Sequence, residues 1–162
     1  MIKFKTTPEA VWVAGDHPAF DESEIGHFEK KQRAKLAFLI SPMTPKLVSE
    51  VNDANLKRET KTTFQGGRRQ TEIKEEPDKE KANDDLIDRI VGDWRGIVGE
   101  NDKEMQCTRE NKLSLINNGY PGLGVAWVTI AREIMSRFDE LKESESKNFE
   151  SSQNGSKGDK AI

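Results

Sequence analysis

The chain has 162 residues, of which 33% are hydrophobic and 34% charged, and its formal net charge is −3. This length suits one domain, or one domain with a tail. The hydrophobic share lies below the roughly 45–50% that is usual for packed domains on a count that includes glycine, so part of the chain is expected to be loop or disordered. Balanced charge argues against a general nucleic-acid binder. No apolar run approaches the roughly 18–20 residues that cross a bilayer.

The cysteine content and the N-terminus limit the class of protein further. The single cysteine, Cys107, excludes an internal disulfide framework and a cysteine-rich zinc site. The N-terminus also lacks the continuous apolar stretch of a signal peptide. We therefore expect a soluble protein of a reducing cytoplasm.

Residues 1–56 are predicted to contain a small β element and a short helix. Ile2 and Phe4 alternate with lysines, and 11–13 is β-branched and aromatic, a pattern typical of edge strands or a hairpin. Another short helix is expected near 24–31. A buried strand is predicted at 36–40.

The short helix of this region has a recognisable start. Thr44 is a suitable N-cap, and Pro45 occupies the first helical position, where its missing N–H costs nothing. The helix is expected to end near Asn52, with the apolar side chains on one face.

Residues 57–82 differ from the rest in composition. Fourteen of the 25 residues in 57–81 are charged, and Phe64 and Ile73 are the only strongly apolar ones. Such a segment cannot bury enough surface to offset its own ordering entropy. A solvent-exposed hairpin about Gly66–Gly67 and a mobile loop both remain open.

Residues 83–143 are predicted to form a helical module. Asn83 or Asp84 is expected to cap a first helix that continues through Trp94, because its apolar residues recur at helical spacing. Thr108 is expected to cap a second helix. A third begins at Tyr120–Gly122 and carries a wide apolar stripe as far as Leu141, a pattern typical of a helix that packs against others.

The fold class predicted from these segments is mainly α with a small N-terminal β element, that is, an α+β fold in which helices predominate. Residues 1–143 are expected to form a single domain. Residues 144–162 contain mostly Ser, Glu, Lys, Asn and Gly, and we expect them to be a disordered tail.

Four groups of residues could suggest reactive sites, and each has a simpler explanation. His17 and His27 are ten residues apart with no further histidine, which does not suit a metal. Cys107 has no neighbouring motif that would activate a nucleophile. The sequence of Gly66–Arg69 lacks the context of a phosphate loop. Asp84, Asp85 and Asp88 imitate a catalytic carboxylate pair, but are expected to stabilise a helix start.

The tryptophans Trp12, Trp94 and Trp127 are expected to anchor the core or an interface. Neither an enzyme nor a bound cofactor is predicted from this inventory.

One stretch resembles a known family. Residues 86–116 contain an apolar run that ends in Trp94-Arg-Gly96-Ile, an acidic turn at 100–102, and a capped helix of the form Thr-x-Glu-Asn followed by leucines. A further helix follows a bend at Pro121. In this order, 84–140 resembles the tail assembly chaperones of long-tailed bacteriophages.

The family pattern maps onto a limited set of positions, which we expect to be structural: Trp94, Gly96, Asn101, Asp102, Thr108, Glu110 and Asn111. Trp94 is expected to close the first helix of the module against the last. The chain departs from the family at Met105–Cys107, where relatives place a proline and an aromatic residue, and in its longer charged segment.

The resemblance implies a non-enzymatic assembly factor. Such a protein binds the tape-measure protein, keeps it soluble, and helps recruit tail-tube subunits in the host cytoplasm without remaining in the mature virion. Partner contacts are expected on the last helix at Val128, Met135 and Phe138, with self-association through the same kind of surface. Neither nucleic acid nor a membrane is expected as a partner.

A longer frameshifted product is common in this family and engages the tube protein. Codons for Ser146–Asn148 are compatible with a slippery sequence for such a shift. Two other functions stay open: a minor tail or head–tail connector component that remains in the particle, and a small nucleic-acid-binding regulator that uses Arg68 and Arg69.

Overall fold

A computed structural model of the chain describes residues 7–158, with side chains described for 7–147. The predicted strand at Ile2 and Phe4, and the last four residues of the predicted tail, lie outside the described residues.

The centre of the fold is a three-stranded antiparallel sheet. It is formed by β1 (Val11–Ala14), β2 (Ala37–Ile40) and β5 (Val91–Arg95), in the order β1-β2-β5. The middle strand, β2, pairs Phe38 with Val13 on one side and with Trp94 on the other.

Strand β5 was predicted to be the end of a helix, and that prediction is wrong. The pairing of β2 with β5 shifts between Leu39 and Ile40, so that Leu39 lies opposite Asp93 and Ile40 opposite Val91. Gly92 is the extra residue of this β-bulge. The bulge turns Val91 and Trp94 inward although they are three residues apart, a spacing that also fits a helix.

Residues 56–77 form a two-stranded antiparallel hairpin, which we call the arm. Gly66 and Gly67 form its turn, and both have positive φ angles of 62° and 76°, as a tight hairpin turn requires. Of the two alternatives left open by the sequence, the structure has the hairpin. Its strands are β3 (Leu56–Gln65) and β4 (Arg68–Pro77).

Most of the remaining chain is helical. The described part of the chain has five α-helices: α1 (Lys30–Arg33), α2 (Pro45–Ala54), α3 (Lys79–Ile90), α4 (Arg109–Asn117) and α5 (Pro121–Gly158). Two single 3₁₀ turns, at Pro18–Phe20 and Glu24–His27, precede α1. The short helix expected near 24–31 is therefore divided between a 3₁₀ turn and α1.

Two of the three predicted N-caps are confirmed. The Leu47 N–H donates to Thr44 Oγ1 at 3.1 Å, and the Asn111 N–H donates to Thr108 Oγ1 at 3.2 Å. The predicted cap at Asn83 or Asp84 is wrong. Helix α3 begins one turn earlier, at Lys79, with Asp78 as its N-cap.

The core lies between the sheet and α5. Trp127 on α5 is fully buried, and its ring centroid lies 5.5 Å from Phe38 and 6.5 Å from Trp94. Phe20 continues the cluster on the other side of Phe38, at 5.3 Å. Because these rings come from β2, β5, α5 and a 3₁₀ turn, one cluster joins segments far apart in sequence.

The prediction of a mainly α fold, with β structure confined to a small N-terminal element, is wrong. The structure is 49% helix and 25% strand, with antiparallel sheets of three and two strands, and is therefore an α+β fold. Strand β5 was not predicted, because its bulge imitates helical spacing, and the hairpin of the arm was only one of two alternatives, because few apolar residues mark its strands.

Helix α5 continues to Gly158, through most of the segment that was predicted to be a disordered tail. Side chains at 144–147 are exposed. A helix that packing has already nucleated extends with little further cost, because each added residue gains one backbone hydrogen bond.

Trp94 supplies a test of the core. Replacing Trp94 with Ala should lower the free energy of unfolding by roughly 3–5 kcal/mol, because the substitution leaves a large cavity. The Met105 carbonyl also loses the hydrogen bond that the Trp94 indole Nε1–H donates to it at 2.7 Å. Urea unfolding of both proteins measures the difference.

Trp12→Ala is the matched control. Trp12 lies on the exposed side of β1, under the Arg95 guanidinium at 4.2 Å, and its loss should cost about 1 kcal/mol or less. If the two variants lost equal amounts of unfolding free energy, this would contradict the burial of Trp94.

Candidate interaction surface

The N-terminus of α5 is held by Glu24, which lies almost a hundred residues earlier in the chain. The backbone N–H groups of Gly122 and Leu123 donate to the two carboxylate oxygens of Glu24, at 3.0 and 3.1 Å. The hydrogen bond from Gly122 is the main reason why the pKa of Glu24 is lowered from its ordinary value. This carboxylate also suits the positive end of the helix dipole.

Gly122 is part of the same arrangement. A Cβ at Gly122 would lie 3.0 Å from a carboxylate oxygen of Glu24, so a side chain there would push the carboxylate away. Sequence reasoning did not find this contact, because no local pattern links two residues so far apart.

Two residues of the family pattern fix the chain around β5. Trp94 is buried and packs on Trp127, so it contacts the last helix from a strand and not from a helix as predicted. Gly96 has a φ of +85°, and a Cβ there would lie 2.5 Å from the Lys35 carbonyl oxygen. Glycine is therefore required for both the backbone conformation and the close approach.

The remaining residues of the pattern shape a turn and a helix start. Asp102 adopts a φ of +55°, and its N–H donates to the Gly99 carbonyl at 3.1 Å. The side-chain amide of Asn111 donates to the Gln106 carbonyl at 2.8 Å. Asn101 and Glu110 are exposed, with Glu110 in the first turn of α4. Asp102 and Asn111 therefore shape the turn and the start of α4.

The acidic residues of α3 were expected to stabilise a helix start, and that interpretation is wrong. Because α3 begins at Lys79, Asp85 and Asp88 lie well inside the helix and face α4. Asp85 accepts a hydrogen bond from Asn55 at 2.7 Å and forms an ion pair with Arg109. These two contacts lower the pKa of Asp85, the Asn55 bond most strongly. Asp84 is half-buried on the same helix.

Lys112 is a structural residue that the sequence did not reveal. Its side chain is buried, and its Nζ donates to Asp88 Oδ1 at 2.7 Å and to the carbonyl oxygens of Asp88 and Val91 at 2.9 and 2.8 Å. It therefore supplies hydrogen-bond donors to two backbone carbonyls at the point where α3 ends and β5 begins. A single lysine in a charged sequence carries no pattern that predicts this role.

The two histidines and the cysteine do not form a cluster with one another. The Ala19 N–H donates to His17 Nδ1 at 3.0 Å, and His27 is exposed. Burial raises the pKa of the Cys107 thiol, which makes it a poorer nucleophile. Within the described residues, no group of three or more His, Cys, Asp or Glu side chains is placed to hold a metal ion.

The apolar stripe of α5 extends beyond the core. After Trp127 and Ile130 it continues at helical spacing through Ile134, Phe138 and Leu141, and Leu141 is 63% exposed. Ile134 still packs against the core, and Phe138 is half-buried. The end of the stripe is therefore apolar surface that the described part of the chain does not cover.

This part of α5 forms one wall of a groove. The opposite wall is the segment 7–11, which leads into the edge strand β1. The groove has a volume of about 300 Å³ and is lined on the α5 side by Ile134, Arg137, Phe138 and Leu141. The lining also includes one acidic side chain, Glu9, on the opposite wall, and the Lys142 ammonium lies 4.8 Å from the centre of the Phe138 ring.

The three predicted contact residues do not share one site. Phe138 lines the groove beside segment 7–11, whereas Val128 lines a second groove between α3, α4 and α5. Met135, seven residues after Val128, lies on the same side of α5 as Val128 and is half-buried. We call the groove at Phe138 the α5 groove.

Comparison with protein-family models, curated proteins and solved structures finds no match for this chain. No helix within residues 7–158 is long and apolar enough to span a membrane.

The Glu24 contact predicts a pH-dependent contribution to stability. Because its pKa is lower in the folded state than the ordinary value of 4.5, the stabilisation is complete above that pH and is lost as pH falls through the folded pKa. Glu24→Gln should cost about 1–2 kcal/mol at pH 7.

The difference in unfolding free energy between wild type and Glu24→Gln should shrink below pH 4.5, as urea unfolding at several pH values would measure. A difference that stays constant from about pH 7 to about pH 3 would contradict the charged hydrogen bonds.

Proposed function

We propose that the protein is a non-enzymatic tail assembly chaperone of a long-tailed bacteriophage. In this role it binds the tape-measure protein in the host cytoplasm, keeps it soluble, and helps recruit tail-tube subunits. It leaves before the virion is complete. The proposal rests on the resemblance of residues 84–140 to that family, together with the form of α5.

The observation that carries the proposal is the α5 groove. A long helical protein that has not yet been enclosed exposes apolar stripes, and an apolar groove beside a helix is suited to such a ligand. Phe138 and Leu141 offer apolar contact there, and Arg137 and Glu9 supply one charge of each sign to its lining. The tape-measure segment that binds is therefore expected to be amphipathic.

The second candidate is a minor tail or head–tail connector protein that remains in the particle. The uncovered apolar surface at Leu141 also suits a permanent subunit interface. Mass spectrometry of purified virions separates the two functions, since a chaperone is absent from finished particles and a connector is present.

The direct test is co-expression with the tape-measure protein of the same genome. Wild-type protein should bring this partner into the soluble fraction and be recovered with it in a pull-down. Phe138→Asp should reduce the recovered complex at least about tenfold, because a charge would be buried in an apolar contact.

Phe28→Asp is the control, since it introduces the same charge at an exposed phenylalanine that lies outside the α5 groove. Circular dichroism should show both variants folded. Equal recovery of the partner with Phe138→Asp and wild type would contradict the α5 groove as the binding site. Failure of the wild type to bind, with the protein present in virions, would favour the connector.

A further inference from the structure

The arm has two chemically different faces, because side chains alternate along each strand. On the first, which we call the charged face, opposite charges lie across the strands. Lys57 is paired with Glu76, Glu59 with Lys74, and Lys61 with Glu72. Opposite charges at directly opposed positions favour this register.

The second face, which we call the threonine face, has fewer charged residues: Arg58, Arg69 and Glu75. Thr60 lies opposite Ile73, and Thr62 opposite Thr71. Phe64 and Ile73 are 76% and 67% exposed, and Leu56 is also exposed at the base. The face has one ion pair, between Arg58 and Glu75 at 3.0 Å.

The arm is an incomplete sheet. All residues of β3 and β4 are exposed, and within the described part of the chain each strand has only the other as a neighbour. A two-stranded hairpin is marginally stable in water unless further strands or a helix cover it. Its outer edges also present backbone N–H and C=O groups that another strand can pair with.

The sequence of β3 is complementary to itself when read in the opposite direction. If two copies of β3 are placed antiparallel about a two-fold axis at Thr60, Glu59 lies opposite Lys61 of the second copy, and Leu56 lies opposite Phe64. Symmetry produces each of these pairs twice. Arg58 and Lys57 then lie opposite threonines, so this register brings no like charges together.

Neighbouring registers are less favourable. An axis at Arg58, Glu59 or Lys61 places that residue opposite its own copy, so like charges meet at the centre. An axis at Thr62 shortens the overlap and forms no opposite-charge pair. Charge therefore selects the alignment at Thr60.

We propose that the arm is a homodimerisation element in which β3 of one copy pairs antiparallel with β3 of a second copy. The product is a four-stranded sheet in the order β4-β3-β3-β4, with a two-fold axis at Thr60. The stretch of each β3 from Leu56 to Phe64 takes part, a length of about 30 Å. This inference does not depend on the proposed chaperone function.

The edge of β4 is the competing surface. With an axis at Ile73, Glu72 would lie opposite Lys74 of the second copy, but the apolar contact would be limited to the two Ile73 side chains. The β3 pairing brings together two Leu56 and two Phe64 side chains, and is favoured for that reason.

Cysteine cross-linking tests the register in the full-length protein. In a Cys107→Ser background, Thr60→Cys places two thiols across the two-fold axis, where opposing Cα atoms lie about 4.5–5.5 Å apart, within disulfide range. Mild oxidation should convert most of this variant to a covalent dimer on a non-reducing gel.

Two further cysteine variants serve as controls for the cross-link at Thr60. Thr62→Cys, on the same face but displaced from the axis by two residues on each strand, should remain largely monomeric on the gel. Ile73→Cys should also remain monomeric, and efficient cross-linking there in place of Thr60 would assign the dimer to β4. Equal cross-linking of all three variants would overturn the proposal, because it would indicate random collisions.

Charge exchange tests the same pairing in solution. The double variant Glu59→Lys, Lys74→Glu keeps the opposite-charge pair within the arm but places a positive charge at position 59 against Lys61 of the second copy. Light scattering after gel filtration should show a dimer dissociation constant raised about tenfold or more, because like charges then lie directly opposite each other.

Adding Lys61→Glu and Glu72→Lys to the double variant restores every opposite-charge pair, both within the arm and between the copies. This fourfold variant should therefore dimerise as the wild type does. A fourfold variant that stays as weak as the double variant, or a wild type that is monomeric at high micromolar concentration, would overturn the proposal.

Discussion

The contact between Trp127 and the two strands beneath it determines how the rest of the fold is arranged. Trp127 is buried against Phe38 of β2 and Trp94 of β5, so α5 is fixed across a sheet of only three short strands. A sheet this small has one face to bury, and a single long helix covers it. The bulge at Gly92 and the glycine at 96 keep β5 in the position that this packing needs.

Because the core uses only the first part of α5, the later turns extend beyond it with apolar side chains in place. The arm leaves the body at another point, between α2 and α3, with the Asp78 N–H bonded to the Asn55 carbonyl at its base. The protein thus has a compact centre and two projecting elements of different chemistry. An assembly factor that binds a long partner and a second copy of itself needs two such separate surfaces.

Local chemistry was predictable where one residue decides it: the caps at Thr44 and Thr108, and the glycine turn of the arm. The fold class was not, because the bulge in β5 places buried side chains three apart and so imitates a helix. The Glu24 and Lys112 contacts could not be found from sequence, since each joins residues that no periodicity connects. For the same reason, the stripe on α5 predicted an interaction surface, but its division into separate grooves emerged only from the packing.

Hydrogen exchange of the full chain, alone and bound to the co-expressed tape-measure protein, tests the central claim that α5 is part core and part binding surface. Alone, amides at 123–131 should exchange slowly, and those at 134–147 much faster. In the complex, protection should increase at 134–141 and in segment 7–11. A complex that protects other regions while 134–141 exchanges as fast as before would contradict the account.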